Sequence, residues 1–169
     1  KSPAPTRRSA RAPRWLSCPR FPVAERSLLT SERLDLGALL GEVADPACGA
    51  QAIFLGTVRN FNNGRCVVAI DYTAYDAMAA RVLARIAAEL EAEAPGLRLA
   101  LRHRLGRLAV GEAAIAIVAA APRRDAALVA VRTALERVKS EAPIWKREIY
   151  ADGGADWREL EPLVARQDH

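Results

Sequence analysis

The sequence predicts an α+β fold with a mixed or antiparallel sheet and two main helices. Residues 76–94 and 123–138 carry apolar side chains at the three- and four-residue spacing of helices that bury one face. Shorter apolar or alternating runs lie around these two segments and are typical of strands. Turn sequences such as Asn63-Gly64 and Pro95-Gly96 separate the runs. Helices interleaved with short strands and hairpin turns favour the α+β class.

The folded part of the chain is expected to begin near Ser27, and its first half predicts a short helix, two strands and a long helix. A short helix is expected over residues 36–43 and strands over residues 50–58 and 66–74, with a turn or loop at Phe61-Asn-Asn-Gly64 between the strands. Asp76 is expected to cap the long helix. The inner face of this helix is predicted to carry Met78, Val82, Ile86 and Leu90.

The second half predicts three more strands and a second long helix. Strands are expected over residues 97–103, 113–121 and 144–150, and the last one leads into an Asp152-Gly-Gly turn. The segment from His103 to Glu112 indicates a strand–turn–strand. The helix over residues 123–138 is predicted to bury Leu128, Val131, Leu135 and Val138.

The basic charge of the chain is concentrated in its first residues. The net charge is +5; residues 1–24 hold six basic and no acidic residues (+6), which leaves 19 basic against 20 acidic residues (−1). We therefore expect a basic tail without fixed structure at 1–24 and one domain at 25–169. An organellar transit peptide or a misplaced start site are alternative explanations of the tail. The nearly neutral domain disfavours a nucleic-acid binder, so any anion site in it must be local.

The cysteine spacing, the hydropathy pattern and the lack of nucleotide-binding motifs disfavour several kinds of site. Cys18, Cys48 and Cys66 are widely spaced and form no CxxC pair, so we expect no metal and a reducing compartment. No uncharged apolar run approaches the roughly 20 residues that span a bilayer. The expected protein is therefore soluble and cytoplasmic. No GxGxxG or Walker sequence is present, which disfavours nucleotide cofactors.

Lys139-Ser-Glu-Ala-Pro-Ile-Trp-Lys-Arg-Glu148 is the most informative stretch of the sequence. Lys139 and Lys146 stand on either side of the Ala142-Pro143 break, and cations beside buried apolar residues favour an anionic ligand. Two ammonium groups held close together would also make a neutral, nucleophilic or basic amine more accessible. A solvated helix end with a favourable C-terminal lysine is the alternative interpretation.

Three arginines are further candidates for anion binding. Arg59 follows a strand and could clamp a phosphate or carboxylate, and Gly56 before it suggests a close backbone approach. Arg123 and Arg124 stand where a strand gives way to a helix, whose free N–H groups favour an anion. Each of the three could instead be a surface arginine in water. His103 is expected to have a structural role.

The spacing of the candidates bears on the oligomeric state. Arg124 and Lys139 are fifteen residues apart on one predicted helix, about 22 Å if it is straight. One small phosphorylated substrate cannot touch both. Either they serve different sites, or a second subunit supplies Arg124 to the Lys139 of the first, which predicts a homodimer with shared sites.

Several ordered motifs resemble the large, catalytic subunits of molybdopterin synthase. The resemblance covers residues 28–164 and rests on spaced blocks: Phe-x-Gly-x-Val-Arg at 54–59, Tyr72…Tyr75…Met78-Ala79, His-Arg-Leu-Gly at 103–106, Val110-Gly-Glu112, Lys139, Pro143-x-Trp-Lys-x-Glu148 and Asp152-Gly…Trp157. It implies an α/β hammerhead-type fold that dimerises. It also implies a ubiquitin-like small subunit whose C-terminal Gly-Gly thiocarboxylate delivers sulfur to cyclic pyranopterin monophosphate. In this arrangement the large subunit forms a homodimer within a heterotetramer.

The resemblance also implies roles for individual residues. Lys139 and Lys146 match the family's active-site lysines, Arg59 its anion-pocket arginine, and Arg124 the arginine of a His-Arg pair near the dimer interface. Arg123 departs from the family, which usually has histidine there. Arginine keeps the positive charge but relays no proton near neutral pH.

The predicted function is therefore a sulfurtransferase subunit that forms the molybdopterin dithiolene and needs no cofactor, because the sulfur arrives activated. Two alternatives are a non-catalytic paralogue that binds a ubiquitin-like carrier, and a domain that binds a phosphorylated ligand.

Overall fold

The computed structural model describes residues 28–159 and confirms the α+β class with three helices and nine strands in that range. The order along the chain is β1 Leu29–Thr30, α1 Leu36–Val43, β2 Ala50–Thr57, β3 Phe61–Asn62, β4 Arg65–Ala74, α2 Asp76–Glu93, β5 Arg98–Arg104, β6 Gly106–Ala109, β7 Ala113–Ala121, α3 Arg124–Glu141, β8 Ile144–Tyr150 and β9 Ala155–Glu159. The basic tail predicted at 1–24 lies outside the described residues.

The first sheet has the strand order β1-β5-β7-β2 and an apolar interior. It is mixed, because β1 runs parallel to β5 while the other pairs are antiparallel. Helices α2 and α3 pack together on one face, and α1 packs on β5 and β7 from the other. Every residue of β7 from Ala114 to Ala121 is buried, as expected for a central strand covered on both faces.

The second sheet is antiparallel and carries the polar residues Asn62 on β3 and Lys146, Glu148 and Tyr150 on β8. Its order is β3-β4-β8-β9, with β6 also pairing with β4. One face encloses a smaller core that includes Val67, Ile70, Leu108 and Ile144. Residues Asn63 and Gly64, at φ 47° and 79°, turn the chain between β3 and β4. Both have the positive φ of the hairpin that Asn-Gly predicts.

Two helix ends follow sequence signals, and the start of α2 does not. The Asp35 side chain accepts a hydrogen bond from Ala38 N at 3.0 Å and caps α1. Gly96, at φ +83°, turns the chain after α2. The prediction that Asp76 caps α2 is wrong: Tyr75 occupies the cap position without a side-chain bond, and Asp76 is the first helical residue.

Two residues predicted to lie on inner helix faces are exposed. Met78 on α2 is 51% exposed and Leu128 on α3 is 60% exposed. Helix α2 instead buries Ala79 and Leu83. Helical spacing identifies an apolar stripe, but its edges depend on where the neighbouring strands lie. Helix α3 also continues to Glu141, three residues beyond its predicted end, so that Lys139 lies in its last turn.

Short strands were missed where pairing depends on distant residues. The predicted turn after His103 contains β6, which leaves β5 and joins the second sheet beside β4. Likewise β1 and β9 exist because β5 and β8 offer them free edges. None of these strands has a strong pattern of its own.

Candidate active site

The buried carboxylate of Glu148 organises the site. Its side chain is 2% exposed on the inward face of β8. Asn62 Nδ2 donates to both carboxylate oxygens, at 3.0 and 2.8 Å, and the Tyr150 hydroxyl donates to Oε2 at 3.0 Å. Lys146 Nζ lies 3.1 Å from Oε1. One carboxylate therefore orients donors from two strands of the second sheet.

Glu148 is negatively charged in this setting. Burial acts to raise the pKa of the carboxyl, but the hydrogen bonds from Asn62, Lys146 and Tyr150 together outweigh burial, and the pKa lies below its usual value. Tyr72, whose pKa rises to about 12 through burial and the charge of Glu148, stays protonated on the same face. A fixed charge of this kind is a rigid anchor for a neighbouring cation.

Two of the predicted site residues are joined through this anchor. Lys146 contacts Glu148 directly, and its side chain is 23% exposed, so part of that side chain reaches the surface. Arg59 follows β2 and donates from Nη2 to Asn62 Oδ1. Because Asn62 is itself bound to Glu148, the guanidinium and the ammonium group belong to one hydrogen-bonded network, as a shared anion site requires.

Asn62, Glu148 and Tyr150 belong to this network, and sequence reasoning assigned a role to none of them. Asn62 was interpreted only as part of a turn, and Glu148 only as the end of a motif. A signal for Glu148 was present, because Lys146, Glu148 and Tyr150 alternate along a strand and so share one face. Asn62 had no such signal, since its partner is 86 residues away.

Lys139 has different surroundings from Lys146. It lies in the last turn of α3 and is partly buried. No ion pair or hydrogen bond joins its ammonium group to another residue within 28–159. An amine without a local carboxylate is available for a ligand, so the structure keeps Lys139 as a candidate. Its catalytic role stays a prediction.

Arg123 and Arg124 lie at the opposite end of α3 and are exposed. Arg123 is the N-cap residue and makes no side-chain cap bond. The Arg124 side chain is 87% exposed, with Nε 3.8 Å from Asp125 Oδ1. Arg124 and Lys139 are fifteen residues apart on the same helix, so one chain does not bring them together. Both arginines stay predicted substrate ligands.

The motif around His103 is structural. His103 is 2% exposed, packs edge-on against Tyr72 with ring centroids 5.2 Å apart, and contacts Arg104 O through Nδ1 at 3.0 Å. Burial lowers the pKa of the imidazole to about 4, so it is neutral near pH 7. The carboxylate of Glu112 accepts from Ala109 N at 2.8 Å and pairs with Arg104 at 3.1 Å, which fixes the turn before β7.

Other features of the sequence have packing explanations or carry no site. A Cβ on Gly56 would meet Ile115 Cγ2 at 2.7 Å, which accounts for glycine at this close approach. Within residues 28–159 no three Asp, Glu, His or Cys side chains are grouped to hold a metal ion. No helix in the same range is both long and apolar enough to cross a membrane.

Comparisons with known proteins agree on one family. Residues 29–141 match the family described as MoaE protein. The chain is 39% identical over 144 residues to molybdopterin synthase catalytic subunit 1 of Aedes aegypti, covering 83% of this chain and 93% of the relative. It is 41% identical over 129 residues to the catalytic subunit of Bacillus subtilis, covering 76% and 82%. It spans 36% of the longer Drosophila willistoni relative.

Solved structures have the same fold. Molybdopterin synthase from Staphylococcus aureus matches with a TM-score of 0.74 and 32% identity over 77% of this chain and 94% of the other. A complex of subunits 1 and 2 of molybdopterin-converting factor from Helicobacter pylori matches with a TM-score of 0.62 and 22% identity over 82% and 89%, a likeness of fold alone. From the family match and these identities, the chain belongs to the MoaE protein family of molybdopterin synthase catalytic subunits, which are enzymes of molybdenum cofactor biosynthesis.

Proposed function

We propose that this chain transfers sulfur from the C-terminal thiocarboxylate of a ubiquitin-like small subunit to cyclic pyranopterin monophosphate and so forms the molybdopterin dithiolene. The observation that carries the proposal is the network in which buried Glu148 holds Lys146 and, through Asn62, Arg59. These two cations and one anion leave a net positive charge. Both reactants are anionic, so this preorganised charge supports their binding.

Each cation has a part in the proposed reaction. Arg59 and Lys146 hold the carboxyl end of the carrier and the anionic groups of the pterin. Lys139 acts at the thiocarboxyl carbon as its C–S bond breaks: the sulfur leaves with the pterin, and the acyl group of the carrier passes either to water, with Lys139 transferring a proton, or to the Lys139 amine, which then forms an amide. Its freedom from a local carboxylate supports both roles. No resident metal or nucleotide enters the reaction, because the sulfur arrives already activated on the carrier. The proposal also places the protein in the cytoplasm.

The site is proposed to be composite, meaning that it uses residues of two copies of the chain. Arg124 is fifteen residues before Lys139 on α3, about 22 Å along the helix. A second copy therefore supplies Arg123 and Arg124 for the substrate phosphate, in a homodimer that carries one small subunit on each copy. The charge of Arg123 suits phosphate binding, whereas its permanent protonation excludes proton transfer.

A reconstitution experiment tests the proposed reaction. The full chain is mixed with a thiocarboxylated carrier and cyclic pyranopterin monophosphate, and dithiolene product is measured. A carrier ending in an ordinary carboxylate is the matched control and should give no product. Carrier binding without any product would favour the non-catalytic paralogue, for which the arginine at 123 is the supporting observation. Binding of a phosphorylated ligand without carrier binding would favour the other alternative, a domain that only binds a phosphorylated ligand.

Mixing two inactive variants tests the composite site. In a dimer of a Lys139→Ala chain with an Arg124→Ala chain, one site loses both residues and the other retains both. Random mixing should therefore restore about a quarter of the wild-type sites, whereas each variant alone stays inactive. No recovery, despite exchange of subunits, would contradict a site shared between copies.

A further inference from the structure

Arg65, at the start of β4, holds the ring of Tyr150. Its guanidinium carbon Cζ lies 3.6 Å from the centroid of that ring. Two carboxylates fix the same group: Nε and Nη2 donate to Asp152 at 3.2 and 2.9 Å, and Nη1 donates to Asp156 at 3.0 Å. A guanidinium is planar, so it can donate along its edge while its face contacts an aromatic ring. Arg65 therefore restrains the Tyr150 ring from one side.

The surroundings of Arg65 are unlike those of a substrate-binding cation. All three of its nitrogens donate to carboxylates, and one positive charge faces the two negative charges of Asp152 and Asp156. An anionic ligand would have to displace these partners. Arg59, in contrast, donates to the neutral amide oxygen of Asn62, and its charge is still available to a ligand. Any effect of Arg65 on the site is therefore indirect and passes through its neighbours.

The turn after β8 is shaped around this guanidinium. Tyr150 N donates to Gly154 O at 2.9 Å, and Gly153 N donates back to Tyr150 O at 3.1 Å. Gly154 N also donates to Asp152 Oδ1 at 2.8 Å. A Cβ atom at Gly154 would clash with Nη2 of Arg65, so only glycine leaves room for the arginine. The turn, its carboxylate and Arg65 thus form one packed unit around the end of β8.

Tyr150 connects this unit to the buried carboxylate of the site. The Tyr150 ring is 2% exposed, and its hydroxyl donates to Glu148 Oε2 at 3.0 Å. Asn62, which donates to both oxygens of the same carboxylate, is the cross-strand partner of Arg65 in the β3–β4 hairpin. Directly opposed residues of an antiparallel pair share one face. One hairpin therefore reaches Glu148 by two routes, directly through Asn62 and indirectly through Arg65 and Tyr150.

We propose that Arg65 is a positioning residue of the sulfur-transfer site: it holds the Tyr150 ring so that the hydroxyl stays on Glu148, and Glu148 in turn holds Lys146. A preorganised site needs its charged groups fixed before the reactants arrive, and such fixing depends on the residues behind them. The effect on the reaction rests on the proposed function, whereas the contacts from Arg65 to Glu148 do not. If Arg65 only stabilised the turn, its effect would be independent of the Tyr150 hydroxyl.

A double-mutant cycle separates these two roles. Tyr150→Phe removes only the hydroxyl, and Arg65→Gln removes the guanidinium. Each should lower kcat/KM for sulfur transfer by about tenfold, the factor that corresponds to one hydrogen bond. The double variant should also lose about tenfold, because the second change removes nothing further, whereas independent effects would multiply to about a hundredfold.

Two further variants make the cycle decisive. Arg98→Gln is the matched control, because Arg98 in the first sheet also pairs with an aspartate and its side chain is 32% exposed, close to the 36% of Arg65. It should leave kcat/KM unchanged. Asp152→Asn loosens the guanidinium from a position that is 58% exposed and replaces Arg65→Gln if that variant does not fold. Multiplying effects, an inert Tyr150→Phe, or an Arg65→Gln as active as the control would each overturn the inference.

A carboxyl titration tests the same positioning without the reaction. Carbon-13 NMR of the full chain follows the pKa of Glu148. Loss of a donor raises the pKa of a carboxyl, so Tyr150→Phe and Arg65→Gln should each raise it by a similar amount, and the double variant should raise it no further. Asn62 and Lys146 remain in every variant and contribute equally. A wild-type pKa in Arg65→Gln would show that the hydroxyl stays in place without the guanidinium, and would overturn the inference.

The two measurements distinguish this inference from the proposed function. A wild-type chain that forms no dithiolene product, but whose Glu148 pKa follows the expected pattern, would refute sulfur transfer while Arg65 still positions the carboxylate. An active wild type whose Arg65→Gln variant keeps both the kcat/KM and the Glu148 pKa would refute the role of Arg65 while the proposed function stands.

Discussion

The interiors of the two sheets differ in how they are stabilised. The first sheet buries an apolar layer in which Ile117, Val118 and Leu101 are at most 1% exposed. The second sheet buries a charged carboxylate, Glu148, at 2% exposure, together with its donors. Apolar burial is favourable by itself and non-directional. A buried charge is stable only while every partner is in place. The first region is therefore a scaffold, and the second ties its stability to the geometry of a site.

The largest effect on activity is expected for Lys139, in the last turn of the helix α3 that packs on the first sheet. Lys139→Ala should abolish sulfur transfer while carrier affinity changes by less than about tenfold, or 1.4 kcal/mol, because a group acting in the transition state affects turnover more than binding. Single-turnover assays and carrier titrations measure the two quantities. Arg81→Ala, which removes an exposed charge from α2, is the control. Normal turnover of Lys139→Ala would reduce Lys139 to a helix-end charge.

One substitution in each sheet separates stability from function. Glu148→Ala leaves Lys146, Asn62 and Tyr150 without their acceptor and should cost about 3–5 kcal/mol in the free energy of unfolding. Ile117→Ala leaves a cavity and should cost about 2–5 kcal/mol. Denaturant unfolding compares the two stabilities.

Activity per folded molecule should then distinguish the sheets. Sulfur transfer should fall in Glu148→Ala, because Lys146 and Asn62 lose their orientation, and should persist in Ile117→Ala at temperatures where it is folded. If both variants retain the wild-type kcat/KM, the second sheet is a scaffold like the first.

The pH dependence of stability probes His103, which joins the sheets through Tyr72. Its pKa is about 4 in the folded protein, below the ordinary 6.5, so the unfolded chain binds the proton more readily. The associated stability is fully present above pH 6.5 and is lost as pH falls through the folded pKa. The loss should reach about 3 kcal/mol near pH 4.

A non-titrating variant isolates this contribution. In His103→Gln the unfolding free energy should depend much less on pH between 6.5 and 4.5. Glu148, whose pKa is lowered from 4.5, contributes stability that is lost only below that pH, so its effect is confined to more acidic conditions. Parallel pH profiles of wild type and variant, from chemical denaturation, would show that His103 titrates normally.

The smallest effect is expected at Arg123, on the rim of the first sheet. Arg123→Ala should weaken pterin binding by about 1–3 kcal/mol if a charged hydrogen bond is lost, with a smaller loss at high salt. Arg123→His should retain much of the pterin affinity at pH values below the imidazole pKa, which is near 6.5 if unperturbed, and should lose part of it at higher pH. Pterin affinities of the three proteins between about pH 5.5 and 8 test this. Identical affinities would leave the phosphate to Arg124.

The sequence by itself determined the features that depend on nearby residues. Helices α2 and α3, the buried strand β7 and the Asn63-Gly64 turn follow from local periodicity and turn chemistry. Arg124 and Lys139 were placed on one helix, and therefore apart, for the same reason. The ordered motifs also carried the family, because they preserve spacing along the chain.

Only the tertiary structure decided which residues meet. Asn62 and Glu148 are 86 residues apart, and no local pattern indicates that they bond. Met78 and Leu128 obey helical spacing yet are exposed, because no strand between residues 28 and 159 covers their positions. The open edge of β2 likewise depends on the order of strands in the sheet, with β7 as its described neighbour. Long-range pairing is fixed by the packing of whole elements, whereas sequence periodicity reports only which face of an element is apolar.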